Sequence, residues 1–196
     1  ALSREDTTFM SWDHPVARTA LELLLTSEAG NASFGVWEGA REKGVLLETY
    51  YVVECVAPAA LHSDRFLPTT PLRVQVDHQG SDCSADLRLS ADHLRVGNLH
   101  QLLSQEKFRR VMLPAMLEGC QKIAAEQMAT VINKASIACD EKLGAEIDRL
   151  VNLGKINDHV SENEVAALRR QHEALSAAIG KSRLRLDAVR VIFCQP

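Results

Sequence analysis

The sequence predicts an α+β fold: a mostly antiparallel β-sheet packed with helices, with a long antiparallel helical hairpin inserted before the C-terminal strand. Three observations predict it. Apolar and polar residues alternate between positions 72 and 89, two apolar seams at helical spacing lie between 115 and 180, and an apolar run closes the chain at 184–193. A chain of 196 residues is long enough to bury one core, so we expect a single domain over residues 1–196.

Residues 13–113 are predicted to form an N-terminal helix, the antiparallel sheet and a short helix near 99–103. Asp13 is the expected N-cap of the first helix, Pro15 suits its first turn, and Gly30 is the expected end. Strands are predicted at 33–38 and 45–56. In the second of these, the less apolar face carries Glu48 and Glu54, so we expect that face to meet water or a partner.

A β-hairpin is the clearest local pattern in the chain. Leu72, Val74 and Val76 alternate with polar residues, a turn follows at 78–81, and alternation resumes at 83–89. The two strands of this hairpin are each expected to bury one face only.

Residues 115–180 are predicted to form a helical hairpin. From Ala115 to Leu153 only two glycines interrupt the helical pattern, and the next helix begins at a capping-box sequence, Ser161 to Glu164. Both helices carry apolar seams, so they should pack antiparallel. We expect Met116–Met128 to lie on the sheet and the segment from Ala135 to Leu175 to project as an arm.

The last predicted strand covers residues 183–193. Its apolar side chains would make an exposed edge prone to aggregation, so the strand should return to the sheet. Leu186 and Val191 are therefore expected to be buried.

Composition argues against several classes of function. The net charge of -4 and the pI near 6.0 do not favour non-specific binding to nucleic acid. Five cysteines occur without a C-x-x-C pair, so we expect reduced, buried thiols rather than a disulfide framework or a metal site. No apolar run is long enough to cross a membrane.

Catalytic motifs are not recognised, and no catalytic, cofactor-binding or metal-binding residue is assigned. Gly180-Lys181-Ser182 matches the end of a P-loop, but Leu175 occupies the first glycine position and the triplet follows a helix rather than a strand. His172 lies on the helical seam, where a structural role is expected. A small hydrolase that uses a histidine and a carboxylate stays open as an alternative.

Five stretches of the chain form an ordered set: Trp12 to Pro15, Tyr51 to Glu54, Arg65 to Pro71, Asp140 to Leu143 and Arg185 to Arg190. In this order and at these spacings they resemble the C-terminal region of the RapA family, whose members are bacterial RNA polymerase-associated, helicase-like ATPases of the SWI/SNF type. The resemblance runs from about Leu2 to Phe193.

The resemblance implies a non-catalytic C-terminal module of a protein that promotes RNA polymerase recycling during transcription in the bacterial cytoplasm. ATP, Mg and DNA would bind the two RecA-like lobes of the parent protein, so no cofactor is expected in this chain. RNA polymerase and those ATPase lobes are the expected partners, with nucleic acid reached through the parent motor and no membrane involved. The start at Ala1 instead of Met favours a fragment. The alternative is a free-standing helical-hairpin interaction or adaptor protein.

Two places are predicted to contact a partner. Arg65 and Phe66 stand beside prolines in the loop after the second strand, and exposed aromatic and arginine side chains are common interface anchors. A loop that packs over the sheet is the alternative there. Asn152, Lys155 and Asn157 lie at the end of the long helix, where the hairpin should reach another domain or the polymerase.

Overall fold

The computed structural model of the protein describes residues 11–26, 31–40, 42–84, 94–157 and 160–196. Its architecture confirms the predicted α+β class. The chain divides into two compact units, residues 1–32 and 33–196. The elements are α1 Pro15–Thr26, β1 Ala32–Glu38, β2 Gly44–Glu54, β3 Thr70–Val76, β4 Leu94–Val96, α2 His100–Leu103, α3 Leu113–Gly154, α4 Glu162–Gly180 and β5 Arg183–Gln195.

The first unit contains α1, which begins at Pro15 as the sequence predicts. The residue before it is His14, whose Nδ1 accepts a hydrogen bond from the backbone N–H of Val16 at 3.2 Å. The N-cap is therefore His14, one residue after the predicted Asp13, because its imidazole nitrogen accepts a backbone N–H of the first turn that has no partner within the helix. Gly30, the predicted end of this helix, lies outside the described residues.

The second unit is built on a five-stranded sheet in the order β3-β2-β5-β1-β4. β2 is antiparallel to both β3 and β5, and β1 is antiparallel to β4. β5 and β1 run in the same direction, since Arg190 reaches Ser33 while the N–H groups of Gly39 and Ala40 both donate to the carbonyl of Gln195. The predicted return of the last strand is confirmed, and its place is the centre of the sheet.

The inner face of the sheet, which includes the odd-numbered residues 45–53 of β2, packs against α3. Met116, Cys120 and Ala124 project from α3 into this core and are fully buried. The start of α3 therefore lies on the sheet, as its seam predicts. A π-helical turn at Phe108–Met112 leads into α3 and buries Phe108 in the same core.

The turn after β3 meets α3 through two glycines. Gly80 adopts a positive φ of 81°, and the carboxylate of Asp77 accepts hydrogen bonds from the N–H groups of Gln79 and Ser81. A Cβ added at Gly119 would stand 2.8 Å from the carbonyl oxygen of Gly80. The close approach of the turn backbone to α3 therefore explains why position 119 of the helix is a glycine. The turn is where the sequence predicts it, while residues 85–89 of the second predicted strand lie outside the described residues.

The helical hairpin forms as predicted, but the core reaches farther along it than expected. Ala135, Cys139 and Leu143 of α3 join the core together with Leu175 and Ile179 of α4. The prediction that the arm starts at Ala135 is wrong, because the loop after β2 also packs against the hairpin and lengthens the buried seam. The segment beyond the core, residues 144–157 and 160–167, is called the distal hairpin below.

Both ends of α4 follow local rules. The hydroxyl of Ser161 accepts from the backbone N–H of Asn163 at 3.1 Å, so Ser161 is the N-cap, although its partner is not the Glu164 of the predicted capping box. α4 ends at Gly180, Lys181 is the C-cap, and the hydroxyl of Ser182 donates to the carbonyl of Ile179. The triplet thus joins a helix to a strand, the reverse of a P-loop.

A β-bulge alters the final strand. Tyr50 pairs with Ala188 but Tyr51 pairs with Leu186, so Asp187 is the extra residue. Val191 is buried as predicted, whereas Leu186 is 46% exposed and the prediction for it is wrong. The bulge shifts which residues of β5 lie on the inner face of the sheet, from 184 and 186 before it to 189 and 191 after it. Leu186 lies on that face but outside the core cluster.

The glycine contact generates a stability prediction. Gly119→Ala should lower the free energy of unfolding by about 1–3 kcal/mol, because the new methyl group overlaps the backbone of Gly80. Gly144→Ala is the matched control on the same helix, since its Cβ meets nothing within 4 Å. The control should raise stability by up to about 1 kcal/mol through helix propensity. Urea denaturation of both variants measures this, and equal effects would show that the contact is unimportant.

Candidate functional site

The predicted loop residues lie against the base of the hairpin. Phe66 is partly buried and packs on the core, while Arg65 is exposed. The Arg65 guanidinium lies 5.7 Å from the centroid of the Phe66 ring, and Lys142 Nζ of α3 lies 5.9 Å from it. The next residue, Leu67, is buried. The loop thus packs over the fold, and a partner contact through Arg65 stays a prediction.

Three predicted contact residues lie together at the end of α3. Lys155 Nζ donates to the side-chain oxygen of Asn152 at 2.9 Å, and the N–H of Asn157 donates to the carbonyl of Leu153 at 2.9 Å. All three side chains are exposed. His159, at the far end of the predicted contact region, lies outside the described residues.

A cleft opens between the two helices beside these residues. It has a volume of about 580 Å³ and is called the tip cleft here. Its lining combines apolar side chains with three charged ones: Leu150, Val151, Gly154, Lys155, Val160, Glu162, Val165, Ala166 and Arg169. Sequence reasoning identified Lys155 but missed the cleft, because the pattern of apolar residues does not reveal where two helices diverge.

A histidine and a carboxylate meet across the hairpin, nearer its base. His172 Nε2 lies 2.7 Å from Asp140 Oδ1, and the hydroxyl of Ser176 donates to the same oxygen at 3.4 Å. A hydrolytic triad would need the serine bonded to the histidine. Here the carboxylate takes both contacts, so the group joins α3 to α4, in agreement with the structural role predicted for His172.

Glu48 occupies an unexpected position on the outer face of the sheet. The prediction that this face meets water or a partner is wrong at Glu48, which is 1% exposed and buried within the chain. Arg73 Nε and Gln75 Nε2 both donate to its Oε1, and Arg190 lies 3.4 Å from its Oε2. Gln75 is also fully buried, so β3 buries residues on both faces. In the sequence, the signal for this buried cluster was the pair Arg73 and Arg190, which the strand register brings beside Glu48.

A second carboxylate on the outer face ties the ends of two strands. Glu54 of β2 accepts hydrogen bonds from Arg185 at 2.7 Å and from Arg183 at 3.2 Å, both in β5. The Arg185 bond, followed by that of Arg183, lowers the pKa of Glu54 below its ordinary value. A lowered folded-state pKa stabilises the fold at neutral pH, and this contribution is lost as pH falls through the folded-state pKa.

Cys120 and Cys139 are buried in the core that the sheet shares with α3, and Cys194 is buried in a smaller apolar cluster with Leu46 and Ile192. Burial raises the pKa of Cys120, Cys139 and Cys194 above the ordinary thiol value, so the reactive thiolate form is scarce. Cys55 and Cys83 are partly exposed. Within the described ranges, no group of three His, Cys, Asp or Glu side chains is arranged to hold a metal ion.

Another depression, of about 670 Å³, lies at one end of the sheet between the β1–β2 connection and the turn after β3. Trp37, Lys43 and His78 line it. The carboxylate of Asp77 at its margin accepts the two hydrogen bonds of the turn. None of the helices in the described part of the chain is both long and apolar enough to cross a bilayer.

Comparisons with known proteins agree on one group of relatives. The profile of the RNA polymerase recycling family, C-terminal region, matches residues 1–194. RNA polymerase-associated protein RapA of Serratia proteamaculans and that of Pectobacterium atrosepticum are each 33% identical over 196 residues, which is 98% of this chain and 20% of the relative. The protein of the same name from Yersinia enterocolitica is 32% identical over the same share. The chain thus spans about a fifth of the length of the curated relatives it matches.

The cross-hairpin pair generates a prediction about stability. Asp140→Ala and His172→Ala should each lower the free energy of unfolding by up to about 1 kcal/mol, because both side chains are partly exposed. The double variant should lose little more than either single one, since the first substitution already removes the shared contact. Urea denaturation of all four proteins measures this cycle. Additive losses would mean that the two side chains stabilise the fold independently.

The buried thiols generate a second prediction. In native protein at about pH 8 a thiol reagent should label Cys55 and Cys83 first, whereas Cys120, Cys139 and Cys194 should react only as fast as the protein unfolds. Mass spectrometry of the labelled peptides follows each site. Labelling in denaturant is the control, in which all five should react. Early labelling of Cys120 in native protein would contradict the burial described here.

Proposed function

Because the chain belongs to the RNA polymerase recycling family, as its C-terminal region, we propose that it is the non-catalytic C-terminal module of a helicase-like ATPase that promotes RNA polymerase recycling. ATP hydrolysis, with its Mg, and contact with DNA would reside in the remaining four fifths of the protein. The parent protein would act on RNA polymerase in the bacterial cytoplasm.

The distal hairpin is the feature that carries this proposal. α3 continues from Leu143, its last buried residue, to Gly154, a distance of about 16 Å at 1.5 Å per residue. Ile156, just past the helix end, is 88% exposed. Leu153, three residues earlier, is 39% exposed, and neighbouring exposed apolar side chains are common at sites of protein contact. We therefore assign the distal hairpin the role of a docking arm.

The base of the hairpin suits the transmission of force. Leu143 and Leu175 are packed in the same core as β2 and β5, and α4 leads into β5 through Lys181 and Ser182. A load on the distal hairpin is therefore passed to a well-packed core rather than to a flexible linker. In this proposal the module holds polymerase in a defined orientation while the ATPase lobes work.

A free-standing adaptor protein would use the same hairpin but would need no motor. The two functions differ in what loss of the arm does. In an adaptor, binding alone would fail, whereas in the proposed module the coupling of ATP hydrolysis to recycling would fail as well.

The test removes the arm above the core. Residues 149–163 are replaced by a short Gly-Ser linker in a full-length family member that carries this module, which leaves Cys139, Leu143 and Leu175 in place. We expect a several-fold loss of transcripts per polymerase in a multi-round assay, while basal ATP hydrolysis stays near the parental rate. The physical reason is that the contact is lost but the ATPase lobes are not altered.

The matched control carries Lys134→Gln and Ile137→Ser, two exposed positions of α3 that lie before the distal hairpin. It should recycle polymerase normally. Parental recycling by the shortened protein would show that the arm has no part in the function and would refute the docking role.

A further inference from the structure

The tip cleft has an apolar floor that the two helices leave open. Leu150 and Val151 of α3 face Val160 and Val165 across it, and all four are only partly buried. A pair of helices that ended in a closed seam would have buried these side chains against one another. The open seam instead presents two ridges with a groove between them, which is the surface into which a third helix packs.

Leu153 and Ile156, which flank the cleft-lining residues Gly154 and Lys155 in sequence, are exposed, as are apolar side chains elsewhere such as Val56 and Val96. Ile156 is 88% exposed and Leu153 is 39% exposed, whereas Ile137, earlier on the same helix, is 49% exposed and stands alone. Single exposed apolar residues are ordinary, but a contiguous group beside a groove marks a contact site.

The rim of the cleft is basic in a chain that is acidic as a whole. Lys155 and Arg169 oppose a single carboxylate, Glu162, although the chain has a net charge of -4. Within the described residues neither cation forms a salt bridge, and Lys155 is bonded only to the amide of Asn152. Two cations beside an apolar groove fit a helix that carries acidic residues next to its apolar stripe.

We propose that the tip cleft is the docking site for an amphipathic, acidic helix of RNA polymerase, which would add a third helix to the hairpin. The proposal rests on the function proposed above and names the partner of the same arm. A second copy of this chain fits poorly, because it would bring the same Lys155 and Arg169 rim against itself. The apolar stripe of the polymerase helix would cover Ile156 and fill the groove.

Photocrosslinking on a full-length family member tests where the cleft docks. A p-benzoylphenylalanine side chain replaces Ile156 in one protein and Ile137 in the control, and each is irradiated with purified core RNA polymerase. We expect the probe at 156 to join a helical segment of a polymerase subunit that contains Asp or Glu, and the probe at 137 to give no such product. A crosslink from 156 to the ATPase lobes or to a second copy of the protein would overturn the proposal.

Charge reversal tests the chemistry of the rim. Lys155→Glu with Arg169→Glu should weaken binding to core polymerase by about tenfold, since two attractions become repulsions. Lys134→Glu, on an exposed part of α3 before the distal hairpin, should leave affinity unchanged. Unchanged binding by the double variant would overturn the proposal. If the shortened hairpin impairs recycling while the double variant binds normally, the docking arm stands and this choice of partner chemistry fails.

Discussion

The pairing of β5 with β2 is the constraint on which the rest of the structure depends. It runs from Gly44–Cys194 to Glu54–Arg183 and places the last strand between β2 and β1. β3 and β2 lie on one side of β5, and β1 and β4 lie on the other. The sheet is therefore complete only when the chain has left it after β4, formed both hairpin helices and come back. The strand that completes the sheet also holds the base of the hairpin. The long helical insertion between β4 and β5 can therefore share one core with the sheet.

The outer face of the sheet shows how polar groups are accommodated beside that central strand. Glu48 is buried between Arg73 of β3 and Arg190 of β5, with Gln75 as a further donor. A buried carboxylate is costly unless cations and hydrogen bonds compensate for lost hydration. Here the compensation comes from both neighbouring strands. A shift of register by one residue would move the partners to the opposite face, so the charge cluster favours a single alignment.

Much of this architecture could be predicted from periodicity, since Leu72, Val74 and Val76 alternate along a strand and Met116 to Leu150 repeat along a helix. Burial was harder to predict. Glu48 was expected to meet water or a partner. Strand alternation cannot show that two arginines from neighbouring strands will enclose it. Leu186 was expected to be buried, but although it lies on the inner face of the sheet it falls outside the core cluster, and apolar spacing alone does not show where that cluster ends. Asn152 and Lys155 were chosen from their place at the end of a helix, while the cleft beside them depends on a divergence between helices that only three-dimensional packing reveals.

The placement of the last strand at the centre of the sheet has a consequence for the order of folding. Arg185 and Glu54 are 131 positions apart in the chain, and closing so long a loop is slow because most of its entropy is lost before contacts form. The two long helices depend mainly on local contacts and can form early. Once formed, they shorten the effective path from β3 to β5. The hairpin thus serves folding as an internal scaffold.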